Sequence, residues 1–269
     1  MTKTYLFSID LEDVRDSLPN GDNFKDRVAL MAEAYLNFLK LKNWKCTFFT
    51  VGKTAEKYPG LLKQIVADGH EVALHSYSHT PVTKQTRQEF SEDLKKNIES
   101  IYKATGIIPI GYRAPIFSLT KNVNWAYEVL AENNIVYSSS IFPADNPLFG
   151  WKEFGADIKN QSGITEIPMT LGSFLGKKVA FGGGIYFRTL PFSWILKQFT
   201  KNDLVTGYFH PYDIDTKQEK FMHPGINNNK FYNFLMYYNR KNVFHRLEKI
   251  SKMGVEVMRY DKFVKQLTK

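Results

Sequence analysis

Along this chain short apolar runs, rich in β-branched and aromatic residues, alternate with longer stretches whose apolar residues recur every three or four positions. Runs of the first kind are Tyr5–Ile9, Lys45–Val51, Val72–Leu74, Ile110–Phe117, Ile135–Tyr137, Ile164–Pro168, Val205–His210 and Val255–Val257, which predict strands. The second kind predicts helices over 24–43, through Leu61, Leu62, Ile65 and Val66, over 86–105, 121–133, 191–201 and 228–253, and at the C-terminus. The 86–105 stretch shows the pattern well, with Phe90, Leu94, Ile98 and Ile101 on one face. Residues 143–163 read as irregular, carrying Pro143, Pro147, Gly150, Gly155 and Gly163, and Gly182–Gly184 reads as a tight turn. Strand and helix thus alternate from end to end, which predicts a parallel sheet covered by helices. With no linker and no internal repeat, the economical expectation is a single domain over 1–269, a closed or nearly closed α/β barrel. A doubly wound open sheet is the alternative.

Composition narrows the class. The 269 residues are 43% hydrophobic, enough for a substantial core and too much for a disordered chain. No apolar run approaches the ~20 residues of a membrane span. Met1–Asp10 passes almost directly into a strand and lacks the features of a secretory signal, so a cytoplasmic protein is expected. The lone Cys46 permits no internal disulfide and fits a reducing compartment. Net charge is +9, but the basic residues are scattered and no nucleic-acid motif is present, so no nucleic-acid partner is expected.

The chemistry gathers at strand ends. His75 and His79 follow Val72–Leu74 at i, i+4, and on a helical turn leaving the strand both rings can face one ion. A metal there needs at least one more ligand. In a parallel α/β sheet the residues just past the strands meet on one rim. Here those are Asp10, Glu12 and Asp13 after the first strand, His75 and His79 after the third, Arg113 after the next, and His210 late. Each has a plainer explanation alone: Asp10–Asp13 as a helix cap, Arg113 as a surface cation, His210 as a loop histidine. Several strands delivering ionisable groups to one edge is harder to obtain by chance. Tyr112, Trp151, Tyr186 and Tyr212 also lie near strand ends, where aromatic rings suit sugar faces, while His223 and His245 read as structural.

These residues resemble the polysaccharide deacetylases with a NodB-type homology domain, carbohydrate esterase family 4. The resemblance rests on Asp10-Leu11-Glu12-Asp13, His75-Ser76-Tyr77-Ser78-His79, Gly111–Pro115, Ser139–Pro143, Gly182–Arg188 and Phe209-His210-Pro211, in the family's order over most of the chain. The wording is most similar to the exopolysaccharide-biosynthesis branch. Two positions depart: the carboxylates after the first strand are spaced rather than adjacent aspartates, and Ser138 stands where relatives in that branch often carry an aspartate.

The resemblance implies a single distorted (β/α) barrel, seven-stranded, and a metal-dependent hydrolase that removes an N-acetyl group from an amino sugar. It implies a divalent metal, zinc first and cobalt or nickel also suitable, on His75, His79 and Glu12, with Asp13 the alternative carboxylate. It implies Asp10 as general base oriented by Arg113, His210 as general acid, and an oxyanion site near Pro115 and the Ile116 N–H. Tyr186 and Arg188 are implied at the substrate. The expected partner is an N-acetylated glycan of a surface polysaccharide (capsule, exopolysaccharide or O-antigen) or its lipid-linked oligosaccharide precursor. A deformylase or related amidohydrolase, and a catalytically silent carbohydrate binder, are the competing functions. The 228–253 stretch bears Phe231, Phe234, Leu235 and Tyr238 beside Arg240, Lys241, Arg246, Lys249 and Lys252, so peripheral contact at the inner membrane face joins the expectations.

Overall fold

A computed structural model describes residues 3–145 and 149–267; Pro147 of the irregular stretch, and Met1 and Thr2, lie outside the described residues. The first half of the chain alternates strand and helix as β1 (Thr4–Leu11), α1 (Val28–Lys42), β2 (Thr47–Thr50), α2 (Gly52–Lys57), α3 (Pro59–Ala67), β3 (Glu71–Leu74), α4 (Arg87–Thr105), β4 (Gly111–Tyr112), α5 (Ala126–Glu132) and β5 (Tyr137–Ser138). The second half begins with a strand pair, β6 (Lys159–Gln161) and β7 (Ile164–Glu166), and a hairpin, β8 (Gly172–Phe174) and β9 (Lys177–Val179). It continues with α6 (Gly184–Thr189), α7 (Phe192–Lys201), β10 (Leu204–Phe209), α8 (Lys230–Tyr237), α9 (Val243–Ser251), β11 (Glu256–Val257) and α10 (Tyr260–Leu267).

Seven strands pair in parallel in the order β10-β1-β2-β3-β4-β5-β7 and curl into a partial barrel. Two more lie outside that path: β6 runs antiparallel on β7, and β11 pairs with Thr4 and Tyr5 of β1, ahead of the point where β2 begins. The ladder does not close. Thr170, just past β7, crosses to β10 instead, its N–H donating to Thr206 Oγ1 and its own hydroxyl to the Leu204 carbonyl.

β1 is the longest strand and pairs with three others, and its period of two divides the molecule. Tyr5, Phe7, Ile9 and Leu11 join Phe48, Val72 and Leu74 in the core beneath the helices. Leu6 faces the other way, into a smaller core with Phe49, Ala73, Tyr137 and two residues of α10, Tyr260 and Val264. Ser8 and Asp10 continue this inner row toward the rim, so alternation alone carries an acid to the mouth of the barrel. The α10 helix plugs the opposite end.

Three expectations change. The helix anticipated from residue 24 starts at Val28. The stretch 228–253 is broken into α8, a short 3-10 turn and α9, because Tyr238 is extended and Asn239 adopts the left-handed conformation (φ 61°). The glycine run is more than a turn. A side chain on Gly183 would meet the Tyr208 backbone at 2.0 Å, so the segment entering α6 lies directly against β10.

Candidate active site

The rings of His75 and His79 lie 5.1 Å apart, but no helical turn brings them together. Ser76 and His79 are both left-handed (φ 64° and 57°), and α4 holds the loop from beneath. Asp93 and Asn97, one turn apart on α4, accept from the Tyr77 and His75 N–H groups, and Asp93 also takes the Ser76 hydroxyl. The i, i+4 spacing was informative; the conformation inferred from it was not the one adopted.

Glu12 completes the group. Its carboxylate lies 2.5 Å from His79 Nε2 and 3.9 Å from His75 Nε2, and all three ligand atoms fall within 4.8 Å of one another. His75 Nδ1 bonds the Arg113 carbonyl at 2.8 Å, which leaves Nε2 to face the centre. A second-nitrogen contact of that kind is what a metal-ligating imidazole ordinarily keeps. Two imidazoles and a carboxylate at these separations fit a divalent ion of the zinc type. Burial pulls the His75 imidazole down to about 4, favouring the neutral form a ligand needs. Burial alone would raise Glu12, but the neighbouring His79, His210 and His75 hold its carboxyl down at about 2. Asp13 turns away: it caps the following 3-10 turn through the Arg15 N–H and pairs with the Arg15 guanidinium at 2.5 Å.

Two further pairs flank this centre. Arg113 is fully buried and donates to Asp10 at 2.6 Å, Ser8 Oγ at 2.7 Å, the Ser139 carbonyl at 3.1 Å and the Tyr260 hydroxyl at 3.0 Å. Its guanidinium also lies over the Phe49 ring, 3.9 Å from the centroid. Asp10 is thus fixed by a cation that is itself fixed, with its second oxygen 4.0 Å from His75 Nε2. On the other flank, His210 Nε2 stands 3.8 Å from Glu12, while Nδ1 pairs with Asp213 at 2.9 Å. Burial opposes a charge on His210, yet the Asp213 hydrogen bond and the Glu12 and Asp213 charges push it up to about 9.

Arg188 lies behind Asp213 and is fully buried. Its Nε donates to Asp213 at 2.9 Å, and Nη1 to the Leu235 and Tyr238 carbonyls. It reaches the cavity wall, but most of its donors are already taken. Tyr186 and Tyr212 also line the cavity, of about 390 Å³, beside Phe117, Phe142 and Tyr208. Tyr112 and Trp151 do not: Tyr112 is buried against Phe90, and Trp151 packs on Phe154. Pro115 opens a 3-10 turn whose two hydrogen bonds are donated by Phe117 and Ser118. Ile116, between Pro115 and Phe117, is left-handed (φ 50°), a strained conformation for a β-branched residue, and it borders the cavity. Ser138 lies in the wall behind, donating to Ser140 Oγ, which accepts the Ala114 N–H.

Residues 23–133 match the family model for polysaccharide deacetylases. The chain carries a polysaccharide deacetylase domain. Residues 139–265 match a second model, a domain of unknown function designated DUF3473. Among curated proteins, a peptidoglycan-N-acetylglucosamine deacetylase of Bacillus cereus is 32% identical over 123 residues, 45% of this chain and 42% of that protein. The chain therefore spans less than half the length of that relative. Among solved structures, a Mycobacterium smegmatis protein assigned to the polysaccharide deacetylases superposes with a TM-score of 0.68 at 17% identity, covering 98% of this chain and 90% of that one. A CE4-family pseudoenzyme from Bacillus anthracis superposes at 0.56 and 14% identity over 98% of this chain and 66% of that one. These likenesses establish the deacetylase fold, and the pseudoenzyme shows why chemistry has to be argued from the site.

Sequence reading did not single out Asp213, Tyr260, Ser8 or Asn97. Asp213 had a signal, since a carboxylate three residues past a histidine at a strand end can turn back onto it. Tyr260 had none: it is 147 residues from Arg113, on a helix with no chemical motif.

Proposed function

We propose that this deacetylase domain hydrolyses the N-acetyl group of an amino sugar with the help of a divalent metal, and that both matched segments form one catalytic unit. The observation that carries the reading is the flanking of Glu12, His75 and His79 by two differently tuned pairs, Asp10–Arg113 and His210–Asp213, inside one aromatic-walled cavity. A metal bound by Glu12, His75 and His79 would supply Lewis acidity to a water and to the amide carbonyl.

The chain's own residues do the rest. Asp10, oriented by Arg113, accepts a proton from the attacking water. The Ile116 N–H, outside the turn's two hydrogen bonds, donates to the oxyanion. His210, held by Asp213, delivers its proton to the amide nitrogen as the C–N bond breaks. Acetate and a free amine leave. The aromatic wall supports a pyranose face, Tyr186 and Tyr212 being the rings nearest this description. Arg188 acts on the substrate mainly through Asp213 and His210.

The substrate we favour is an N-acetylated glycan of a surface polysaccharide, or its lipid-linked precursor handled at the cytoplasmic membrane face. Amine release from N-acetylated oligosaccharides, assayed beside formylated ones with zinc, cobalt or nickel added back after chelation, tests the reading. Metal-restored release from acetyl substrates is expected. No release from any acetylated glycan by metal-loaded protein would sink it.

A further inference from the structure

The α8 helix, Lys230–Tyr237, sits at the rim of the active-site cavity and buries none of its residues. Asn233 and Tyr237 tie it to the loop before it, through the Phe221 and His223 backbone. Tyr232 and Met236, one turn apart, turn toward the cavity. The remaining arc points outward and is aromatic. Phe231 is 65% exposed, Phe234 58% and Tyr238 46%, with Tyr232 at 53% beside them. The rings touch in pairs, Phe234 with Tyr238 at 5.6 Å and Phe231 with Tyr232 at 6.0 Å, and Tyr232 brings the second pair up to the cavity mouth. Contiguous apolar surface of this kind marks a contact site more often than chance exposure does.

Along this segment the charge has one sign. Residues 220–247 contain five Lys and Arg and no Asp or Glu. Arg240 and Arg246 bond inward to carbonyls, but Lys220, Lys230 and Lys241 are exposed. We propose that α8 is a membrane-docking helix, its aromatic face seated in the interfacial layer of an anionic bilayer and the three lysines on lipid headgroups. Two phenyl rings with no hydroxyl suit hydrocarbon better than a sugar chain, and lysines around the patch oppose contact with a second copy of the same patch. Docking there would hold the cavity mouth at the bilayer, where a lipid-linked glycan presents its sugars; only this last step rests on the deacetylase reading.

The test is vesicle flotation, which needs no catalysis and so fails or succeeds independently of that reading. Purified protein is mixed with vesicles of pure phosphatidylcholine or of an equal mixture with phosphatidylglycerol. Wild type is expected to float with the anionic vesicles and much less with the neutral ones. Phe231→Ser/Phe234→Ser should lower the bound fraction about tenfold. Lys220→Gln/Lys230→Gln/Lys241→Gln should remove the preference for anionic lipid. Circular dichroism and melting, unchanged in both variants, show that folding is intact; should the serine pair unfold the protein, the exposed lysine triple still decides. Wild type that stays with the unbound protein overturns the proposal, as does flotation that neither variant reduces. Concentration-dependent dimers abolished by the serine pair, without flotation, would assign the face to a second copy instead. Slower turnover of long soluble glycans in that variant, again without flotation, would assign it to the glycan.

Discussion

Both oxygens of the Asp213 carboxylate are engaged, one with Arg188 Nε and the other with the ring and backbone N–H of His210. The buried Arg188 and His210 charges hold Asp213 well below the usual carboxylate range, against the opposing effect of burial, and the benefit is returned to the imidazole. Because His210 is pushed up to about 9, its proton-donating form persists through neutral pH and is lost as pH rises through that value. Asp213→Asn removes the charge and should bring the alkaline limb of kcat down toward the ordinary imidazole range near ~6.5. A pH–rate profile measures this; an unmoved limb means His210 is not the donor. The neighbouring carboxylates separate in the same way. Glu12→Gln should strip the metal, read by elemental analysis. Asp13→Asn should retain it while losing some stability, since the pairs with Arg15 and Lys57 are weakened and the asparagine can still cap the turn.

At the scale of elements, the C-terminal helix completes a site that begins on the first strand. Tyr260, the first residue of α10, is fully buried and holds the Arg113 guanidinium on the side away from Asp10. Tyr260→Phe keeps the ring and its T-shaped contact with Phe49 but leaves Nη2 only the longer contact to Ser139 Oγ at 3.3 Å. Losing a hydrogen bond to a buried charge costs about 1.5–3 kcal/mol. Part of that should appear as roughly a tenfold fall in kcat with KM little changed, since Arg113 positions the base rather than the sugar. Equal changes in both constants would argue for a general loosening of the fold. This distance in sequence is also where reading the chain ran out. His75, His79, Arg113, His210 and Asp10 each fall at or just past an apolar run, so those runs expose them, and the parallel sheet follows from their alternation with helices, while the number seven comes only from the family resemblance. The three-residue strand β6, the hairpin β8–β9 and the break at Asn239 carry no period long enough to see. Pairings across the barrel, such as Tyr260 with Arg113, depend on where the last helix docks, and no local pattern encodes that.

For the whole molecule, the end of the barrel opposite the rim is as polar as it is buried. Glu71, which opens β3, accepts from Thr47 Oγ1 at 2.5 Å, the Tyr137 hydroxyl at 2.7 Å and the Asp261 N–H at 3.1 Å. It thereby links β2, β3 and β5 to α10, joining the two halves of the chain. Burial, with the Asp261 charge added, pushes Glu71 up to about 7. In the unfolded chain the same carboxyl titrates near ~4.3. Between those values the folded protein binds the extra proton, so this group's contribution to stability is complete below about 4.3 and falls as pH rises through 7. The full window corresponds to a loss of up to about 4 kcal/mol, and less if water reaches the site as pH rises. Other groups titrate too, notably Glu12 and His79 at the rim, so the informative quantity is the difference between wild type and Glu71→Gln. Denaturant unfolding of both at pH 5 and pH 8 measures it. The wild type should lose stability relative to the variant on going to pH 8, because glutamine cannot ionise and still offers an oxygen to Tyr137 or Thr47. A difference that is flat, or that grows in favour of wild type, would mean that Glu71 is ionised in the fold and that the two halves are joined there by a charge instead of a neutral carboxyl.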